Sequence, residues 1–463
     1  MNAETYRERR SVLRKAVPDG DILILGNHYA ARNYADNVYP FRQDSSFLYY
    51  AGVNRPDLAL VIGSDGRSTL FGPRAGSDDL IWFGPHSGLD ELAEEVGCDG
   101  RGTRQELAAR LAGSGRDEGR VHFLPPYRGD RTVKLAELLG VAADAVAGLV
   151  SESLVDAVIR QRSVKSQAEV DEIEDALAVT SLMYASAMAA TEPGITEAEV
   201  AAELQAPAIA NNRQMAFPPI VTVRGEVLHN ESYVNTLDAG DMLLIDSGAE
   251  SHAFYASDIT RTIPVNGRFE PDQRDIYEVV LAAQLAAISV ASPQVTNREV
   301  HLTAARAIAS GLTDMGLMRG NVEDAVEAGA HALFFPHGIG HMMGLDVHDM
   351  EDLGDRVGYP DGERRSSQFG LNALRLARRL EPGFVITIEP GIYFIPALID
   401  RWRTEGRHAD FIRFDRLRAF RNFGGVRIED DILITETGAR ILGPIIPKSI
   451  EDVEETVHPL KSS

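Results

Sequence analysis

Four acidic residues sit at or inside apolar runs of β type, and they limit what this chain can fold into more than any other feature. Asp246 closes the run Met242-Leu243-Leu244-Ile245, and Asp258 opens Ile259-Thr260-Arg261-Thr262-Ile263. Glu389 ends Phe384-Val385-Ile386-Thr387-Ile388 just ahead of a Pro390-Gly391 stop, and Glu429 lies inside the 426–434 run. An isolated ionised carboxylate in such a setting is costly to desolvate, so each should be paired or bound to a cation. One such acid is ordinarily a strand-edge residue with water on it. Four in one half of a chain form a constellation.

The same half carries a glycine-loosened, histidine-rich segment, Phe334-Phe335-Pro336-His337-Gly338-Ile339-Gly340-His341-Met342-Met343-Gly344-Leu345-Asp346-Val347-His348-Asp349. It holds three of the twelve histidines of the chain. His337 and His341 stand four apart, as in helical zinc motifs. Gly338 and Gly340 argue against a helix, because a glycine in a helix interior costs about 1 kcal/mol relative to alanine. No Glu follows the first histidine, so the helical metalloprotease signature is absent. Taken alone, the segment is either a loop that gathers imidazoles into one volume or a turn with scattered core histidines. The acids favour the first.

At 463 residues the chain is expected to hold two or more domains, since single cores rarely grow past about 250–300 residues. Its formal charge is 46 − 69 = −23, and such a surface repels nucleic acid and anionic membrane alike. Neither is expected as a partner. Cys98 is the only cysteine, so no intramolecular disulfide can form and a reducing compartment is natural. The N-terminal residues lack the apolar core of a signal peptide. No run approaches the ~18–20 apolar residues of a membrane span. The cytoplasm is the expected location.

In chain order, residues 1–150 read as an α/β domain. Ile22-Leu23-Ile24-Leu25 and Leu58-Ala59-Leu60-Val61-Ile62 are buried-strand patterns, and 90–96 and 103–111 read as helices. Residues 151–165 form a helical connector. Ser166 with Glu169 has capping-box spacing and launches a helix. Pro193-Gly194 breaks it, and Thr196 with Glu199 repeats the box. A strand at 220–223 leads to His229. Further helices start at Pro271 and at Thr296, where Glu299 completes the box. Two polar insertions follow, at 354–368 and 400–424.

Six motifs, in order, resemble the metal-dependent pita-bread peptidases of the X-prolyl branch, aminopeptidase P and prolidase. They are Asp246-Ser247-Gly248-Ala249-Glu250, Ser257-Asp258-Ile259-Thr260-Arg261-Thr262, Pro336-His337-Gly338-Ile339-Gly340-His341, Leu345-Asp346-Val347-His348-Asp349, Thr387-Ile388-Glu389-Pro390-Gly391-Ile392-Tyr393 and Gly425-Val426-Arg427-Ile428-Glu429-Asp430. In the first half, Tyr39-Pro40-Phe41-Arg42-Gln43-Asp44-Ser45-Ser46-Phe47-Leu48-Tyr49-Tyr50 and Ile81-Trp82-Phe83-Gly84 are similar to the N-terminal domain of aminopeptidase P. The implied fold class is α/β (α+β). A smaller N-terminal α/β domain, 1–150, precedes a pita-bread catalytic domain of the creatinase/aminopeptidase type, 166–463.

The resemblance implies Asp246, Asp258, His341, Glu389 and Glu429 as ligands of two divalent metal ions. Four carboxylates and one imidazole suit Mn2+, with Zn2+, Co2+ or Fe2+ as alternatives. Asp258 and Glu429 would bridge the ions, Asp246 would hold one, and His341 and Glu389 the other. Glu389 would also shuttle a proton. His229, His337 and His348 match the family's non-ligand histidines, which bind substrate and stabilise an oxyanion, a role worth about 3–4 kcal/mol of barrier. Arg427 would hold a ligand carboxylate. Arg375 matches the prolidase arginine that binds a substrate carboxylate, with a solvated helix charge as the alternative. Tyr393 would line the pocket. Trp82 matches a tryptophan that reaches a neighbouring subunit's site, with ordinary core packing as the alternative.

The implied activity is removal of the N-terminal residue from Xaa-Pro peptides. The alternatives are an Xaa-Pro dipeptidase (prolidase), to which Arg375 and the insertions point, a non-catalytic binding module, and a metal-free hydrolase of the creatinase type. Organophosphate hydrolysis is an implied side activity, and a homodimer or homotetramer the implied assembly. One departure stands out. Asp246 and Asp258 are twelve apart, one more than in the family, and an odd shift on a strand turns a side chain to the other face unless the hairpin absorbs it.

Overall fold

Helix starts in this chain are written as Ser/Thr-x-x-Glu. Glu106, Glu169, Glu199 and Glu299 each accept the backbone N–H of Thr103, Ser166, Thr196 and Thr296 respectively, which satisfies an orphan donor at each N-terminus. The helices that follow are Arg104–Leu111, Gln167–Ala190, Glu197–Ala210 and Asn297–Asp314. Pro271 occupies the first turn of Pro271–Val290, where its missing N–H costs nothing.

The computed structural model describes residues 1–73, 81–82, 84–112, 121–360 and 362–457. Phe83 of the Ile81-Trp82-Phe83-Gly84 motif lies outside the described residues. The chain divides into two compact units, residues 1–162 with 350–354, and residues 163–349 with 355–463. The first unit thus takes in a short segment from within the 166–463 stretch.

The first unit is built on a five-stranded mixed sheet, ordered Gly100–Gly102, Ser68–Phe71, Ala59–Ile62, Asp21–Leu25 and Val121–Phe123. The strand pairs are antiparallel at the centre and parallel at both edges. Leu23, Val61 and Phe71 from the sheet pack with Leu107, Leu111, Leu135 and Leu139 from helices. Both strand patterns read from sequence form here.

In the second unit two helix pairs, Gln167–Ala190 with Glu197–Ala210 and Pro271–Val290 with Asn297–Asp314, are each followed by antiparallel strands. One sheet is ordered Ile259–Pro264, Met242–Ser247, Ile220–Thr222, and another Val385–Ile388, Asp430–Ile434, Ala439–Ile441. Gly391–Tyr393 pairs with Gly425–Arg427. The 426–434 run read as one strand is therefore two. Its first part pairs with Gly391–Tyr393 and its second with Val385–Ile388, and the change of partner falls at Ile428 and Glu429. The 400–424 insertion, polar in sequence, overlaps the helix Pro396–Glu405 and anchors itself through the fully buried Trp402.

Candidate metal centre

The Met242–Ser247 and Ile259–Pro264 strands set the first two acids. Asp246 lies directly opposite Thr260. Residues opposite each other across a pair share a face, as do residues two apart along one strand, so Asp258 points to the same side as Asp246. Pairing continues in unchanged register through Glu250 and Ala256 to the Ser251 N–H on Tyr255 O. The hairpin therefore closes on residues 252–254, where Phe254 takes a left-handed φ of 67° and His252 is exposed. The turn absorbs the extra residue, and neither carboxylate is turned to the other face.

The 339–343 segment runs extended beside Val385–Ile388. Thr387 N–H donates to His341 O at 3.1 Å, Glu389 N–H to Ile339 O at 2.8 Å, and Met343 N–H to Val385 O at 2.9 Å. No helix forms at 336–341. Gly340 is required here, because a Cβ on it would stand 2.0 Å from Thr387 O. Thr387 Oγ1 also accepts the His341 N–H at 3.1 Å. Glu429 is pinned by its own N–H on Thr260 O at 3.0 Å.

These elements enclose a cavity of about 390 Å³ that all five expected ligands line, together with His229, His337, His348, Arg375 and Arg427. Ligand atoms of Asp258, His341 and Glu429 lie within 4.8 Å of one another. His341 Nδ1 donates to Met342 O at 3.0 Å, which leaves the Nε2 lone pair facing Asp258 Oδ2 at 3.5 Å and Glu389 Oε1 at 3.8 Å. A lone pair facing carboxylates is stable only with a cation or a proton between them. Asp246 Oδ1 and Asp258 Oδ1 are buried with no hydrogen-bond partner among the described residues. Burial first, and neighbouring acids second, hold the Asp258 and Glu429 carboxyls well above their ordinary range. Burial pushes Glu389 up to about 7, and it drives the His341 imidazole well below its usual value. Acids that cannot all ionise, around an imidazole that cannot protonate, become a ligand set once divalent cations enter. The residues fit such ions.

Arg427 organises one wall. It donates Nη2 to Asp246 Oδ2 at 2.6 Å, Nη1 to the Tyr393 hydroxyl at 3.0 Å and Nε to Thr260 Oγ1 at 3.0 Å. The Thr260 hydroxyl in turn donates a hydrogen bond to Glu429 Oε2 at 2.6 Å. Tyr393 does not line the pocket as expected. It is fully buried behind the wall, its hydroxyl pushed up to about 12 by burial and lying 2.8 Å from His337 Nε2. His337 Nδ1 is engaged with Gly338 O at 2.8 Å. Both of its nitrogens are thus occupied, and burial, with Arg427 second, pushes its pKa down to about 3.

His348 is half-buried, its ring 4.2 Å from that of His341, and His229 is exposed at the rim. Arg375 lies on the cavity wall in a segment that is not helical, so the helix-charge alternative falls. Trp82 is 79% exposed, which rules out core packing, and it is not among the described residues lining the cavity. Sequence reasoning passed over Thr260, although its position two residues after Asp258 gave its face by parity. Thr387 was quoted only as part of a motif.

Residues 171–436 match Metallopeptidase family M24. The chain belongs to this metallopeptidase family. Residues 6–122 match the aminopeptidase P N-terminal domain. The chain is 33% identical to the Xaa-Pro dipeptidase of Homo sapiens over 98% of its own length and 92% of that protein's. It is 31% identical to a probable Xaa-Pro aminopeptidase of Verticillium alfalfae over 96% and 94% of the two chains. Among solved structures it is similar to Escherichia coli aminopeptidase P, with a TM-score of 0.80, 28% identity and 99% and 98% coverage. A proline aminopeptidase P of Yersinia pestis has a TM-score of 0.80 at 30% identity, covering 99% of each chain. The α/β fold expected from the motifs, with a smaller N-terminal domain before a pita-bread domain, is the fold of this metallopeptidase. The buried cluster of acids and histidine is its candidate divalent-metal site. No helix among the described residues is long and apolar enough to cross a membrane.

Proposed function

We propose that this metallopeptidase hydrolyses the bond ahead of proline and releases the N-terminal residue of Xaa-Pro peptides. Two divalent cations, Mn2+ first among the candidates, would be held by Asp246, Asp258, His341, Glu389 and Glu429. The observation that carries the reading is the convergence of these five side chains on one cavity, with the His341 lone pair and two orphaned carboxylate oxygens turned inward. Such cations supply a water ionised near neutral pH and a Lewis acid for the scissile carbonyl.

The chain's own groups do the rest. Glu389 moves the proton to the leaving prolyl nitrogen. His229 and His348 face the cavity and donate to the substrate and its developing oxyanion. His337, with both nitrogens engaged, acts by holding the Tyr393–Arg427 arrangement, and Arg427 fixes Asp246. We expect a cytoplasmic homodimer or homotetramer, in which the exposed Trp82 would meet a neighbouring subunit.

Arg375 on the cavity wall supports a second reading, that of an Xaa-Pro dipeptidase. A guanidinium fork there suits the free carboxylate of a dipeptide, and the human relative bears that name. Kinetics on a Gly-Pro dipeptide and an Xaa-Pro-Pro tripeptide after manganese loading decide between them. Preference for the tripeptide supports the aminopeptidase. Activity confined to the dipeptide, and lost in Arg375→Ala, supports the dipeptidase. Activity on neither, or fewer than about one bound ion per chain, sinks both.

A further inference from the structure

We propose that Lys165 is a positioning residue for His348, acting through Asp349. The inference rests on the peptidase reading for what His348 does, though not for where it stands. Lys165 Nζ lies 3.0 Å from Asp349 Oδ2, and each side chain is only 1% exposed. Sealing two opposite charges away from water forfeits both hydration shells, and an apolar pair of the same volume would commonly stabilise a fold as well or better. The return on this pair lies in geometry.

The 342–349 loop is folded around the Asp349 carboxylate. Asp349 N–H donates to Met342 O at 2.9 Å, and Asp349 Oδ1 accepts Asp346 N–H at 3.3 Å. Gly344 packs so closely on the carboxylate that a Cβ would stand 2.4 Å from Oδ2. Gly344 in turn donates to Asp346 O and accepts from Ala256 N–H at 2.8 Å. His348 is the residue next to this anchor, and its ring stands against that of the ligand His341. Lys165 is itself fixed, because its N–H donates to Gly383 O at 2.8 Å. Gly383 lies just before the Val385–Ile388 strand that leads into Glu389. A lysine almost two hundred residues away in sequence thus ties the His348 loop to the start of that strand.

The test is the neutral amide pair Lys165→Gln/Asp349→Asn, which removes the two opposite charges together, in the manganese-loaded enzyme. The expected kcat/KM on an Xaa-Pro-Pro tripeptide is ~10–100-fold lower, the range for partners that orient site residues. Most of that loss should vanish in a His348→Ala background, since coupled residues are non-additive. In zinc-loaded protein with 13C-labelled histidine rings, the His348 resonance, assigned by its absence in His348→Ala, should move or broaden, while that of His122 stays in place. Should the amide pair not fold, Lys165→Arg carries the same expectations at smaller size. An unchanged His348 resonance, or a loss that multiplies in full with His348→Ala, overturns the proposal. Failure of the wild type to cleave any Xaa-Pro peptide would instead overturn the peptidase reading, and the resonance alone would then decide the role of Lys165.

Discussion

Thr260 shows how much one hydroxyl can organise in a dry site. It accepts from Arg427 Nε and donates to Glu429 Oε2, so it selects which oxygen of Glu429 remains free to meet a cation. Thr260→Val keeps the volume and removes both bonds. The mutation leaves a buried donor and a buried acceptor unpaired, an omission that costs about 1–3 kcal/mol. Urea unfolding should shift by that much, and manganese affinity should fall by roughly 10-fold or more. A variant with wild-type stability and affinity would show that Thr260 merely fills space. That the four acids would gather was legible in sequence because a carboxylate beside a β-type run has few affordable fates, and the resemblance named the same acids with His341 as the expected ligands. Thr260 was not legible, because a threonine in a strand has many fates. Tyr393 was misread for a related reason: its motif places it near the site, but only coordinates tell which side of the wall it takes.

Elements, more than side chains, decide whether His341 reaches the acids. The 339–343 segment lies on Val385–Ile388 through backbone bonds that leave no room for a Cβ at Gly340. Gly340→Ala must push the two apart, and His341 moves with its segment. We expect at least a 10-fold loss of manganese affinity by titration, with the first unit's sheet unaffected by circular dichroism. Retained affinity would mean that the segment tolerates displacement. Sequence could exclude a helix there from its glycines, yet it could not supply the strand partner, since pairing across some forty residues leaves no local trace. The same limit explains the 426–434 run, read as one strand although its two halves answer to different partners.

A second element-level consequence concerns the helix Asn297–Asp314 and the Ala330–Leu333 turn, which bury His301 and His331 with ring centres 6.2 Å apart. Neither ring has a hydrogen-bond partner among the described residues. Burial drives His301 well below its ordinary value, and it pushes His331 down to about 4, with His408 adding to the effect. The unfolded chain therefore takes up protons near pH 6.5 that the folded chain refuses. Stability is held in full above that pH and falls as the pH drops towards about 4. For His331 alone the loss between pH 7 and pH 5 is about 2 kcal/mol. Urea unfolding in chelator should show His331→Leu losing about that much less than wild type over the same interval. Equal losses would mean that the ring is protonated in the fold.

At the scale of the whole molecule, the −23 formal charge matters less than four acids in one cavity. Exposed charges are screened over about 8–10 Å at ordinary salt, whereas Asp246, Asp258, Glu389 and Glu429 share one buried space with Arg427. Without cations the buried acids repel one another, and bound divalent cations would offset that repulsion. A ligand that binds only the folded state stabilises it by about 2.7 kcal/mol per site at one hundred times its Kd. Manganese should accordingly raise the thermal midpoint by several degrees, and chelator should reverse the rise. Asp258→Asn separates the two effects. It replaces an acid that burial and its neighbours keep from ionising freely, so the chelated variant should melt no lower than chelated wild type. It also removes a proposed ligand, so the manganese-loaded variant should melt below loaded wild type. Differential scanning calorimetry under both conditions reads the two differences directly. A variant less stable than wild type in both would mean that Asp258 supports the fold as an ordinary buried polar residue, and that the cavity's charge is balanced in some way other than by cations.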